Sequence, residues 1–144
     1  MRNLLVLTLS LVIILGSPAE AADTLYRRDV KQANPGGKDL IMSFQEIRRD
    51  EKTSLAKVTF VSGASVPVSM FIVRGFYDIA KARGSTHFIK LREWKAEDES
   101  WMYFVGFSNS KDIVPQEYFK VDDESVGDKF MAVSDFDLLF KQDK

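Results

Sequence analysis

Residues 87–107 read HFIKLREWKAEDESWMYFVGF, and this stretch decides the fold. Two runs rich in apolar and aromatic residues, His87 to Trp94 and Trp101 to Phe107, flank a polar hexapeptide, Lys95-Ala96-Glu97-Asp98-Glu99-Ser100. Apolar alternation over so short a run marks a strand, and two such runs around a polar turn make a hairpin. Pairing Trp94 with Trp101 puts Ile89, Leu91, Met102 and Phe104 on one face. Phe88, Lys90, Arg92, Trp94, Trp101, Tyr103, Val105 and Phe107 then share the other. The first face reads as core. The second mixes cations with large aromatics, which a solvated face does not require.

Upstream of this hairpin the period changes. Pro67 stands where a first-turn proline is welcome, because its missing N–H would have had no helical partner. Met70, Val73, Tyr77 and Ala80 recur at near-helical spacing with Ile72, Phe76 and Ile79 beside them, and Gly84 suits the left-handed position past a helix end. A helix to about Arg83 is predicted. Gly75 inside it costs up to about 1 kcal/mol relative to alanine, so close backbone packing is expected there.

Further upstream, Leu40, Met42 and Phe44 alternate on one face and, after a charged turn from Arg49 to Thr53, Ala56, Val58 and Phe60 on another, giving a first hairpin. Residues 22–39, with Asn34-Pro35-Gly36-Gly37, read as a flexible lead-in. Downstream, Lys129 to Val133 has the look of a short strand. Ser134 with Asp137 has the form of a capping box opening a short helix through Phe136, Leu138, Leu139 and Phe140. The expected fold is α+β: an antiparallel sheet of two hairpins in ββαββ order, one long helix packed on one face, and a C-terminal strand and short helix.

At the other end, Arg2 precedes an apolar run from Leu4 to Leu15 and a small-residue exit at Ala19-Glu20-Ala21, the three parts of a cleavable export signal. The run is too short for a membrane-spanning helix, which needs about 20 apolar residues, and Gly16, Ser17 and Pro18 interrupt any continuation. Cleavage after Ala21 is expected, leaving 22–39 as lead-in and 40–144 as a single domain. With no cysteine in the chain there is no site for lipid attachment at the cleavage point and no disulfide. Small extracellular eukaryotic domains usually lean on disulfides, so this composition favours a bacterial periplasmic or secreted protein. Stability must then come from packing, and all eleven phenylalanines lie after the signal.

Charge narrows the partners. Arg2 and Glu20 cancel, so the exported part keeps the net charge of −1. A nucleic-acid binder would show a basic excess, and the separated pairs Arg27-Arg28 and Arg48-Arg49 do not supply one.

Catalytic motifs are missing in kind. There is no thiol nucleophile, and the single His87 cannot build a multi-histidine zinc site. No G-x-S-x-G elbow and no G-x-x-x-x-G-K-[ST] phosphate loop is present. The acidic clusters Glu97-Asp98-Glu99 and Asp122-Asp123-Glu124 lack the spacing of a calcium loop. No cofactor or metal is expected. The sharpest candidate is the mixed hairpin face, with Lys90, Arg92, Trp94, Trp101 and Tyr103 as binding residues for an envelope protein, peptide or glycan. The expectation is a non-catalytic exported protein that binds a partner. The alternative is a small secreted hydrolase working through Asp or Glu carboxylates.

Overall fold

The computed structural model describes residues 24–33, 35–60, 65–122, 126 and 129–141. The export signal assigned to residues 1–21 lies outside them. Among the described residues, six strands and three helices follow in the order β1 (Arg27–Gln32), β2 (Leu40–Arg49), β3 (Thr53–Phe60), α1 (Ser65–Arg83), β4 (His87–Lys95), β5 (Trp101–Ser108), α2 (Pro115–Phe119), β6 (Met131–Ala132) and α3 (Val133–Phe140). The strands form one antiparallel sheet in the spatial order β1-β2-β3-β5-β4-β6. The α+β class and both hairpins match the expectation from sequence; the ββαββ order is embedded in a longer one. Among the described residues, no helix is long and apolar enough to cross a membrane.

Part of the stretch read as a flexible lead-in is β1, an edge strand paired from Arg27↔Gln45 to Gln32↔Leu40. Its sequence RRDVKQ has too little apolar alternation to announce a strand. What fixes it is β2, whose edge would otherwise present unpaired backbone groups, and an anchor at Tyr26. The Tyr26 and Glu46 backbones are joined by a 2.8 Å bond from Glu46 N–H to the Tyr26 carbonyl. The Tyr26 hydroxyl donates to Asp78 of α1 at 2.6 Å.

One sheet face carries α1. Phe44 and Val58 are direct cross-strand partners, so the first hairpin turns Met42, Phe44, Ala56 and Val58 to the same side, correcting the reading that put the two strands' apolar residues on separate faces. The core there is an aromatic cluster. Phe44 meets Tyr26, Phe71 and Phe76 edge-on at 5.6, 6.4 and 5.8 Å, and Phe76 meets Tyr103 at 5.5 Å. The close packing expected at Gly75 is present: a Cβ built there would lie 2.3 Å from the Phe44 ring. Gly84, at φ +69°, ends α1. Its N–H bonds the Lys81 carbonyl at 3.1 Å and Ser85 N–H bonds Ala80 at 2.9 Å, the paired bonds of a Schellman cap.

α3 packs beside α1 on this same side. Phe136 sits 5.9 Å from Phe88, and Phe140 sits 5.2 Å from Tyr77. The capping box read at Ser134 does not form. α3 begins earlier, its N-cap is Ala132 without a side-chain bond, and Asp137 instead accepts the Tyr77 hydroxyl at 2.7 Å. Tertiary bonding to Asp137 outweighs the local cap. The same bond, followed by burial, pushes the Tyr77 pKa up to about 12.

The opposite face has a smaller core at one end: Ile89, Leu91 and Val126, with Phe104, Phe119, Val121 and Phe130 packed against them. Gly106 makes this cover possible, because a Cβ there would lie 2.5 Å from the Phe119 ring. Gly106→Ala is expected to push Phe119 off the sheet at a cost of about 1–3 kcal/mol. Thermal melts would measure the loss, and limited proteolysis should show earlier cutting around α2. An unchanged melt and cutting pattern would mean Phe119 contributes no cover.

Candidate functional site

The open remainder of that second face is the candidate site, and two β-bulges build it. β2 and β3 pair in register from Met42↔Phe60 to Glu46↔Ala56, and the pairing then resumes at Arg48↔Leu55, leaving Ile47 as the extra residue. β4 and β5 pair in register from His87↔Ser108 to Lys90↔Val105 and resume at Arg92↔Phe104, leaving Leu91 as the extra residue. Without a bulge, alternation would send Arg48 and Arg92 toward α1. Each bulge reverses the parity and turns its arginine outward.

Both arginines arrive on one cross-strand rank. Arg48 of β2 faces Leu55 of β3, Leu55 faces Phe104 of β5, and Phe104 faces Arg92 of β4. Two guanidinium groups therefore flank an apolar floor. The shallow groove between them, about 260 Å3, is lined by Arg48, Leu55, Arg92, Trp94 and Phe104. It runs into a second hollow of about 380 Å3 lined by Leu91, Arg92, Phe104, Val121 and Asp122. Arg48, a lining residue of the groove, is 57% exposed and commits its Nε to Asp50 at 2.9 Å. The Arg92 guanidinium lies over the Trp94 ring, 5.1 Å from the centroid.

The register also corrects the face read from sequence. The Trp94↔Trp101 pairing holds the frame of His87 to Lys90, but past the bulge Trp94 faces Met102 and Lys95 faces Trp101. The five predicted site residues consequently divide. Arg92 and Trp94 are on the open face. Tyr103 is 7% exposed in the α1-side core, where burial, then the charge of Glu93, pushes its pKa up to about 12. Trp101 is half-buried against the same core, and Lys90, on that side, is held by Glu93 at 2.8 Å. Arg48 and Leu55 were missed. The available signal was a break of parity: apolar residues at Ile89 and Leu91 followed by Trp94, and Phe44 followed by Ile47.

Among the described residues, Glu46, His87, Asp98 and Asp137 bond within the framework. Glu46, fully buried, accepts Arg49 Nε at 2.8 Å, Arg49 Nη2 at 2.7 Å, Ser54 Oγ at 2.7 Å and Tyr26 N–H at 3.0 Å. Burial alone would raise its pKa, but the hydrogen bonds from Arg49, Ser54 and Tyr26 and the Arg49 charge together hold it below the ordinary carboxylate range. A general acid needs the reverse shift. His87, Ser134 and Asp137 line one hollow of about 380 Å3. There His87 Nδ1 meets Thr86 Oγ1 at 2.8 Å, while Asp137 is engaged by Tyr77, by Lys81 at 3.8 Å and by Lys141 at 3.6 Å. These bonds do not make the chain of nucleophile, base and orienting acid that acyl transfer needs. In the acidic hairpin turn, Asp98 bonds Lys57 at 2.5 Å and also accepts Ser100 N–H at 3.1 Å. The Lys57 bond first, then those of Ser100, hold its carboxyl well below the usual range.

Comparison of the chain with protein-family models, with curated proteins and with solved structures finds no match.

Proposed function

We propose that this is an exported, non-catalytic bacterial envelope protein, periplasmic or secreted, that binds a protein partner through the open face of its sheet. The observation that carries the reading is the pair of bulges that bring Arg48 and Arg92 onto one rank around Leu55 and Phe104. Bulges are a device for re-aiming side chains, and two of them serving one rank favour a surface shaped for contact over one left to solvent. Arginine and aromatic side chains around an apolar floor are the composition of interface hot spots. A glycan is the weaker occupant, because Arg92 already lies over the Trp94 ring that a sugar would stack on.

Site-specific photo-crosslinking in the native host tests this. A photoreactive residue in place of Leu55 is expected to give a defined protein adduct. The same residue in place of Leu138, which is 84% exposed on α3, is expected to give none. No adduct from position 55, or the same adducts from both positions, would remove the open face as the binding surface.

A further inference from the structure

We infer that the segment held on this face is extended and carries two acidic side chains four residues apart with an apolar side chain midway between them, an inference that rests on the open face being the binding surface. The spacing follows from the sheet. Arg48 and Arg92 occupy strands β2 and β4 with β3 and β5 between them, so three inter-strand steps separate their backbones, roughly 14 Å. An extended chain rises about 3.3 Å per residue and repeats its side-chain direction every second residue. Residues i and i+4 of such a chain are therefore about 13 Å apart and point the same way, as does i+2 between them. Laid across the strands, the chain sets i over the β2 position of Arg48, i+4 over the β4 position of Arg92, and i+2 onto Leu55 and Phe104.

Charge and shape favour this occupant over its competitors. Guanidinium groups bind carboxylates through paired donors in a fixed fork, and both arginines line the groove beside Leu55 and Phe104. A helical segment would place i and i+4 only about 6 Å apart along its axis and would not span the rank. The adjoining hollow is lined by Asp122, whose charge disfavours a third acidic residue past Arg92. An anionic lipid surface would engage the two arginines without any need for the apolar floor between them.

Two blocked synthetic peptides provide the test: Ser-Glu-Thr-Leu-Thr-Glu-Ser, and its isomer Ser-Glu-Glu-Leu-Thr-Thr-Ser with the same charge and composition. Each is titrated by NMR into isotope-labelled protein purified from the compartment in which it works. The first peptide is expected to shift the Trp94 indole and the amides of Leu55 and Phe104. Its affinity should exceed the isomer's about threefold, the value of one partly exposed ion pair. The combined Arg48→Ser and Arg92→Ser variant should bind both peptides equally weakly, with circular dichroism melts verifying that it is folded. Equal affinities in the wild type, or a preference that survives in the variant, would overturn the inference. Arginine-dependent sedimentation with phosphatidylglycerol vesicles, without discrimination between the peptides, would overturn it in favour of a membrane surface. A Leu55 photo-adduct alongside indifferent peptides means the surface stands and the acidic segment falls. Without that adduct the surface itself falls.

Discussion

Glu46→Ala is expected to cost about 3–5 kcal/mol of folding stability, close to the whole margin of many small domains. The carboxylate is buried and carries both Arg49 bonds, the Ser54 hydroxyl and the Tyr26 N–H. Removing it takes two charge-assisted bonds from a guanidinium that is itself only 14% exposed. The damage spreads along two routes. Ser54 Oγ also accepts Arg83 Nη2 at 3.0 Å, which ties the network to the end of α1. Tyr26 N–H is the anchor of β1, so hydrogen exchange in β1 should accelerate more than exchange in β5. Urea denaturation measures the size of the effect. A loss under about 1 kcal/mol would show the network to be dispensable.

The same group gives the acid response a sign. Its folded pKa lies below its ordinary value of 4.5, so its contribution is full above that value and is lost as the pH falls through the folded pKa. Wild-type protein should lose stability on acidification below about pH 4.5, and Glu46→Gln should show a shallower slope over the same window. Part of the slope should remain in that variant, since Asp98 and Asp137 are also held low. Parallel slopes for the two proteins would separate Glu46 from acid unfolding.

Gly75→Ala should be the second severe substitution, although alanine is ordinarily the better helix former by about 1 kcal/mol. Here the added methyl would fall 2.3 Å from the Phe44 ring, in a cluster where Phe44 already contacts Tyr26, Phe71 and Phe76. Either α1 lifts from the sheet or Phe44 leaves its rotamer, at a cost of about 1–3 kcal/mol. The decisive measurement is a double-mutant cycle. Phe44→Leu alone leaves a cavity and destabilises, but combined with Gly75→Ala the two should offset each other by at least about 1 kcal/mol. Simple additivity would mean that the methyl is accommodated by movement elsewhere.

Much of this architecture was legible because particular residues advertise it. Pro67 and Gly84 bracket α1, and the alternation of Leu40 to Phe44 and of Trp101 to Phe107 marks strands. β1 was not legible, since an edge strand held by its neighbour and by Tyr26 needs no apolar stripe of its own. The candidate face was half legible. Arg92 and Trp94 stood out by type, but side-chain direction depends on register, and one extra residue at Leu91 exchanges the two sides of the sheet from that point onward. Nothing in the chemistry of leucine or isoleucine marks it as the residue that bulges. Arg92 and Trp94 were grouped with Tyr103 for that reason, and Arg48, on the other hairpin, was overlooked because the only mark of its own bulge is the break of parity at Ile47.

The seam between β3 and β5, from Thr53↔Gly106 to Val58↔Trp101, also orders events in time. Each hairpin joins neighbours in sequence and can zip early, whereas the seam closes a loop that holds all of α1 and β4. The rank of Arg48, Leu55, Phe104 and Arg92 straddles that seam. Half of the rank belongs to one hairpin and half to the other, so a chain that has folded either half presents one arginine and no groove. The groove is thus completed in the last step of assembly, after the two halves have met.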